Sequence, residues 1–192
     1  LGNGASVTAI KNGISVDTSM GLTPLEGLVI GTRSGDIDPS IFEFLFENKH
    51  MSIRQINSML NKDSGLLGIS ELSNDCRTLE EHAALGHDGA ILALNMFAYR
   101  LAKYIASVTV ATGRLDALVF TGGIGENSAS MRKRVMQHLG FLGVHVDDTL
   151  NQTMVGGQAG YINLVTDTVA SLVIPTNEEL MIAKDTYALT IK

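Results

Sequence analysis

The sequence predicts an α/β fold, and three segments carry that prediction. Residues 115–121 form a near-continuous apolar run, as expected for a strand that is buried on both faces of a sheet. Gly122 and Gly123 then turn the chain, and residues 128–139 return with helical spacing. A strand followed by a glycine turn and a helix belongs to an α/β architecture. Residues 90–112 add one long, largely apolar helix.

The chain begins with a predicted β-hairpin. Residues 6–10 and 14–18 are rich in Val, Ile, Thr and Ser, and they flank the dipeptide Asn-Gly at 12–13. Asn-Gly supplies two positive-φ positions at little steric cost, as a tight hairpin turn requires. The glycine-rich segment 20–38 is predicted to be a functional loop that can hold one short helical turn after Pro24.

Two helices are predicted after this loop. Residues 41–48 and 52–61 carry apolar side chains at helical spacing. Ser52 is the expected N-cap of the second helix, with Gln55 three residues later as in a capping box. The turn-rich segment 61–74 is predicted to be a connector.

A moderate helix at 77–85 precedes the long helix at 90–112, which we expect Gly113 to end as its C-terminal glycine. Arg100 and Lys103 interrupt the apolar character of the long helix, which argues against a membrane span. The pattern therefore predicts a buried helix.

The remaining chain adds short elements. Residues 144–146 are a predicted short strand, and polar turns follow through Gly160. Residues 172–174 form a further strand, and Asn177 is the expected cap of a helix over 178–186. The chain shows no internal repeat or linker, so a single domain is predicted.

The composition excludes some classes of function. The net charge of −6 disfavours a general binder of nucleic acid or of anionic membranes. Hydrophobic content of 45% and charged content of 18% are typical of an ordinary globular protein. The one cysteine, Cys76, rules out an internal disulfide framework and predicts a reduced thiol in a cytoplasmic protein.

Glycine-rich loops are the first indication of chemistry. Residues 1–6 and 121–127 lie more than a hundred positions apart, and each can bring backbone N–H groups close to an anion. Arg33 follows a third glycine, and an arginine beside such loops indicates phosphoryl transfer. The alternatives are a glycine-rich strand edge for the first loop and a structural ion pair of Arg33 with Asp36 or Asp38.

Six sequence blocks resemble, in family order, the signature blocks of acetate kinases. These blocks are residues 1–6, 17–27, 31–39, 74–77, 120–127 and 174–180. Each block alone is moderately specific, whereas six in order make coincidence improbable. Propionate and butyrate kinases share most of these blocks, so the resemblance leaves the acyl substrate open between them.

The resemblance implies a ribonuclease-H-like domain of the acetate and sugar kinase, Hsp70 and actin superfamily, with added helices. It implies that residues 1–192 are the C-terminal nucleotide-binding domain and that the N-terminal domain is absent from this chain. The family carries a histidine immediately before the block that begins at Leu1. The implied reaction is reversible, direct in-line transfer from ATP to acetate, giving ADP and acetyl phosphate, with Mg²⁺ or Mn²⁺.

The resemblance also assigns site residues. Arg33 is the implied stabiliser of the phosphoryl group in flight, Pro24 lines the pocket for the acetate methyl group, and Glu178 is the metal-site glutamate. Asp75 would accept hydrogen bonds from the ribose, and Arg77 would lie on the adenine ring. The implied nucleotide-binding residues are Leu1, Gly2, Asn3, Gly4, Asp75, Cys76, Arg77, Gly123, Ile124, Gly125, Glu126 and Asn127.

Structural explanations exist for several of these residues. Asp75 is a good N-cap with Arg77 solvated in the first helical turn, and Pro24 suits the start of a helix. Glu178 and Glu179 are both favourable at a helix N-terminus, so only the resemblance selects Glu178.

Other functions stay open as well. The chain can be a non-catalytic module that binds nucleotide or only self-associates, or an actin-like or Hsp70-like ATPase, although the block at 31–39 argues against the ATPase. The family resemblance implies a homodimer, and we expect the helix over 90–112 near its interface.

Overall fold

The computed structural model describes residues 1–190 of the chain. The strands in this range are β1 (Thr8–Lys11), β2 (Ile14–Thr18), β3 (Ala117–Phe120), β4 (Gly160–Tyr161) and β5 (Ala170–Val173). The helices are α1 (Ile41–Lys49), α2 (Ile53–Lys62), α3 (Gly65–Ser70), α4 (Cys76–Ala84), α5 (Asp88–Thr112), α6 (Gly122–Asn127), α7 (Ala129–Gln137), α8 (Asp148–Thr153) and α9 (Glu178–Thr190). Helices and strands are interspersed, which confirms the predicted α/β class.

The predicted hairpin is present. β1 pairs with β2 in antiparallel register, with a bulge between Ala9 and Ile10. Asn12 and Gly13 have φ values of 54° and 78°, as expected for their positions in the turn. This element could be predicted because the required backbone conformation is encoded locally.

The second sheet is mixed, with the order β3-β5-β4. β3 runs parallel to β5, and β4 runs antiparallel to it. Leu118 and Phe120 of β3 are buried, whereas Ala117 is exposed and Val119 is 45% exposed. The prediction that β3 is buried on both faces is therefore wrong, because no element within residues 1–190 covers its second face.

Helix α5 forms the centre of the core. Its buried residues are Ala90, Ala93, Leu94, Phe97, Ala98, Leu101, Ala102, Ile105 and Val108. The helix begins two residues before the predicted start, at Asp88, because the His87 side chain accepts a hydrogen bond from the Ala90 N–H and caps it. Gly113 ends it in the left-handed conformation, with φ 82°, as predicted.

Other boundaries differ from prediction where tertiary contacts decide them. The predicted connector 61–74 contains α3, the polar segment before Gly160 contains α8, and residues 122–127 form α6 rather than a simple turn. The predicted strand at 144–146 is reduced to an isolated bridge between Val146 and Asn163.

Strands β1 and β3 belong to separate sheets and face a groove of about 880 Å³. Leu101, Ile105 and Val108 of α5 also line this groove, which is mainly apolar. In residues 1–190 no helix is both long enough and apolar enough to span a bilayer.

Candidate active site

The two distant glycine loops lie against each other. The Leu1 carbonyl accepts hydrogen bonds from the N–H groups of Ile124 (2.7 Å) and Gly125 (3.2 Å). The Leu1 nitrogen donates to the carbonyl of Thr121, at 2.5 Å. The structure therefore brings together two loops that were expected to share one ligand, and their binding of nucleotide stays a prediction.

The N–H groups of α6 are used differently from the prediction. We expected them to approach an anion, but those of Ile124 and Gly125 bond to Leu1, and that of Gly122 bonds to the Glu126 carboxylate at 2.7 Å. The first N–H groups of a helix have no hydrogen-bond partner within the helix, and here Leu1 and Glu126 accept these bonds. A Cβ at Gly123 would have no neighbour within 4 Å, so the backbone there is open to a ligand.

Glu126 connects this loop to the segment that leads into α9. Its Oε1 atom accepts hydrogen bonds from the Thr176 N–H (3.0 Å) and the Thr176 hydroxyl (3.1 Å), in addition to the one from Gly122. Desolvation favours a higher pKa for Glu126, but the hydrogen bonds from Thr176 and Gly122 outweigh it, and the pKa lies below its ordinary value. The carboxylate thus holds two site segments together.

A residue that the sequence reasoning missed, Arg132, lies beneath the same loop and is fully buried. Its guanidinium donates to the carbonyls of Gly125 (2.8 Å), Glu126 (3.0 Å), Asn151 (2.7 Å) and Met154 (2.9 Å), and its Nε to the Asn151 side chain (2.8 Å). These bonds satisfy carbonyls at the ends of α6 and α8.

The position of Arg132 in the helical pattern of α7 could have indicated that this side chain is buried. It follows Met131 directly and precedes Val135 and Met136 by three and four residues, so it falls on the buried face of α7.

The Arg33 loop lies beside the opening loop. The Gly31 N–H donates to the Asn3 carbonyl at 3.1 Å, and a Cβ at Gly31 would lie 2.0 Å from the Asn3 side-chain oxygen. That oxygen also accepts from the Asn74 amide at 3.1 Å. Three of the sequence blocks therefore converge around Asn3.

Arg33 forms no ion pair within residues 1–190. Its two candidate structural partners are otherwise engaged: Asp36 pairs with Arg100 at 3.0 Å, and Asp38 accepts a hydrogen bond from the Ser40 N–H at 2.9 Å. The structure thus does not support the alternative in which Arg33 serves a local salt bridge.

Asp75 is the N-cap of α4, as its structural explanation predicted. Its Oδ1 accepts from the N–H groups of Arg77 (2.8 Å) and Thr78 (3.2 Å), and its Oδ2 pairs with the Arg77 guanidinium at 3.1 Å. The hydrogen bond from Arg77 is the largest contribution that holds the pKa of Asp75 below its ordinary value. The Arg77 side chain is 87% exposed, so it is accessible to a ligand.

Cys76 differs from its neighbours because its side chain is buried. Burial raises the pKa of its thiol to about 12, so the thiol is protonated at neutral pH. We conclude that this side chain packs in the core, and only its backbone remains available to a nucleotide.

Glu178, the residue predicted to hold the metal, begins α9 beside a small pocket that is lined by Thr176, Asn177, Glu178 and Glu179. Asn177 accepts a hydrogen bond from the Leu180 N–H at 3.0 Å, which confirms it as the cap. Both glutamates are exposed, so the choice of Glu178 stays a prediction. Carboxylate and hydroxyl oxygens suit a hard cation such as Mg²⁺.

Residues 1–190 contain no group of three or more His, Cys, Asp or Glu side chains placed to hold a metal. A Mg²⁺ ion at Glu178 would therefore complete its shell with waters and phosphate oxygens. Pro24 is exposed in the loop before α1, where no helix forms, and its role in the methyl pocket stays a prediction.

Comparison with known proteins matches residues 1–184 to the acetokinase family. Acetate kinase 1 of Neisseria meningitidis serogroup A is 67% identical over 190 residues, which cover 99% of this chain and 48% of that protein. The acetate kinase of Chromobacterium violaceum is 64% identical over 189 residues, covering 98% of this chain and 47% of that protein.

Solved structures give the same result. Porphyromonas gingivalis acetate kinase superposes with a TM-score of 0.93 at 43% identity, covering 100% of this chain and 48% of that one. A propionate kinase from Francisella tularensis superposes with a TM-score of 0.90 at 50% identity, covering 96% of this chain and 47% of that one. The chain thus spans about half the length of the proteins it matches. These neighbours agree with the superfamily fold that the resemblance implied, and the chain belongs to the acetokinase family.

Proposed function

We propose that this chain is the C-terminal, nucleotide-binding half of an acetate kinase, which transfers the γ-phosphoryl group of ATP to acetate. The convergence of three glycine-containing loops carries the proposal. Loop 1–6 contacts α6 through Leu1 and contacts the Arg33 loop through Asn3, while Arg33 itself forms no ion pair in residues 1–190.

In the proposed reaction, an acetate oxygen attacks the γ-phosphorus in line. The new bond joins that oxygen to phosphorus, and the bond from phosphorus to the bridging oxygen of ADP breaks. Charge spreads over the equatorial oxygens in the transition state, where the planar Arg33 guanidinium can donate two hydrogen bonds. The reverse reaction makes ATP from acetyl phosphate, and neither direction needs a nucleophile from this chain.

The remaining predicted residues have binding roles in this proposal. Gly2, Gly4 and Gly123 allow the nucleotide phosphates to approach the backbone closely. Asp75 accepts from the ribose, and Arg77 covers the adenine ring. Glu178 would hold Mg²⁺ or Mn²⁺, which when bound neutralises phosphate charge.

Kinetics of the full-length enzyme test the proposal. Because an arginine on a transferring phosphoryl group contributes about 10³- to 10⁵-fold to kcat, Arg33→Ala should lower kcat by at least about 10³-fold, with little change in the KM for ATP. Arg114→Ala is the matched control, since Arg114 is 80% exposed in a surface pair with Asp116. Near-normal turnover of acetate by Arg33→Ala would contradict the proposal.

Propionate kinase is a second candidate, because a propionate kinase from Francisella tularensis is 50% identical to this chain and shares its fold, although the Neisseria acetate kinase is more similar at 67%. One methylene group changes binding in an apolar pocket by only about 1–3 kcal/mol. The ratio of kcat/KM for acetate and propionate decides between the two. Calorimetry of this chain with ADP and Mg²⁺ tests the remaining alternative, a module that binds nucleotide without catalysis.

A further inference from the structure

The loop that carries Arg33 is closed at its base by one carboxylate, that of Asp36. Its Oδ1 accepts a hydrogen bond from the Gly27 N–H at 2.8 Å, and the Asp36 N–H donates to the Gly27 carbonyl at 3.2 Å. The two ends of the ten-residue segment 27–36 are therefore held together.

The same carboxylate attaches the loop to α5. Its Oδ2 accepts from the Arg100 guanidinium at 3.0 Å and from the Tyr104 hydroxyl at 2.5 Å. These donors lie four residues apart on one face of the helix, beside the buried Leu101. Burial and the bond to Asp36 raise the pKa of Tyr104 to about 12, so its hydroxyl stays a donor at neutral pH.

Charge makes these contacts relevant to Arg33. Asp36 lies only three positions after Arg33 in the same loop, so a free carboxylate there would attract the guanidinium that the reaction needs. Arg100 supplies the opposite charge to Asp36 instead, and Arg33 has no ion pair within the described residues.

We propose that Arg100 and Tyr104 are positioning residues: they hold Asp36 against α5 and thereby leave Arg33 free for the phosphoryl group. This inference rests on the proposed role of Arg33. It assigns a catalytic consequence to two side chains of the core helix that lie outside every signature block of the sequence.

Steady-state kinetics of the full-length enzyme test the inference. In Arg100→Met, the released Asp36 competes for Arg33, and because small misplacements of catalytic groups cost up to about 100-fold, kcat should fall by about 10- to 100-fold. The KM for ATP should change less than about twofold, since the contacts that bind ATP in the ground state are not removed. The second-site variant Asp36→Asn, which keeps the acceptor for the Gly27 N–H without the charge, should restore kcat in Arg100→Met to within about threefold of wild type.

Two further variants complete the experiment. Arg114→Met removes an arginine of an exposed pair elsewhere and should leave kcat unchanged. Tyr104→Phe removes only a neutral donor and serves if Arg100→Met does not fold; it should lower kcat by about three- to tenfold and be rescued by Asp36→Asn in the same way.

A wild-type kcat in Arg100→Met overturns the inference, and so does a reduced kcat that Asp36→Asn fails to restore in a folded protein, because a merely structural role predicts no rescue. The kcat of Arg33→Ala distinguishes a failure of the positioning role from a failure of the proposed function. If Arg33→Ala is inactive while Arg100→Met is normal, only the positioning role is lost.

Discussion

At the scale of single residues, the structure decides between roles that the sequence leaves open. Asp36 is close to Arg33 in sequence, yet its partner is Arg100, 64 positions away. Asp75 is both an N-cap and the partner of Arg77, so its structural explanation is correct whether or not it contacts a ribose. Side-chain partners depend on which distant elements meet, and spacing along the chain does not reveal that.

Glu126 gives a prediction about pH. Its pKa is lowered in the folded protein, so its ionised form stabilises the fold above the ordinary pKa of 4.5, and this contribution is lost as the pH falls through the lowered value. Glu126→Gln should therefore reduce the free energy of unfolding by about 1 kcal/mol at pH 7 and by progressively less below pH 4.5.

Denaturant unfolding of both proteins across this pH range measures the difference. Glu81→Gln is the control, because Glu81 is an exposed glutamate on α4. A difference between wild type and Glu126→Gln that stays constant as the pH falls would rule out the charged carboxylate as its source.

At the scale of elements, the loops depend on short helices that the sequence did not reveal. Gly65, the first residue of α3, has φ 63°, and a Cβ there would lie 2.0 Å from the Ile30 carbonyl and 2.8 Å from the Arg33 nitrogen and carbonyl. The Ser64 N–H donates to the Thr32 carbonyl at 3.0 Å. The start of α3 therefore packs against the backbone of residues 30–33 and fixes the position of Arg33.

Gly65→Ala tests this support. The added methyl group meets backbone atoms that cannot rotate away, so the loop must shift, and we expect a loss of about 1–3 kcal/mol in stability together with a lower kcat in the full-length enzyme. Gly86→Ala is a matched control, because Gly86 has φ 87° but no atom lies within 4 Å of a Cβ there. This variant therefore has the backbone strain of a positive φ without the steric clash. Equal kcat values for the two variants would contradict the role of Gly65.

Several elements were predictable because their signals are local. The Asn12-Gly13 turn, the capping box of Ser52 and Gln55, and the glycine after α5 each satisfy backbone needs within a few residues. In contrast, α3 and α6 are six residues each, and β4 has two. Elements this short have no periodicity to detect, so tertiary hydrogen bonds determine them.

At the scale of the whole molecule, α5 presents an apolar stripe on the side opposite the core. Leu92, Met96, Tyr99 and Val110 recur along one face of the helix and are exposed. This stripe supports the expectation of a homodimer with α5 near its interface, which stays a prediction, as does the cytoplasmic location.

The double variant Leu92→Glu/Met96→Glu tests the dimer. Two carboxylates in an apolar interface lose hydration without gaining partners, so a dimeric protein should become monomeric at micromolar concentration. Light scattering after size-exclusion chromatography measures the mass. Val165→Glu, at a loop residue that is 99% exposed, controls for added charge. A monomeric wild type, or a variant that stays dimeric, would contradict the prediction.

Sequence patterns were sufficient to predict the family, the α/β class, the hairpin, the long helix and the glycine loops of the candidate site. Each of these depends on backbone preferences and hydrogen bonds between residues that are close along the chain, or on residue types at fixed spacing. The sequence did not reveal that Arg132 is buried under one glycine loop, that Glu126 accepts a hydrogen bond from Thr176, or that Asp36 pairs with Arg100 of α5 instead of Arg33. Those outcomes required segments as far as 64 positions apart to be packed together before their polar groups could find partners.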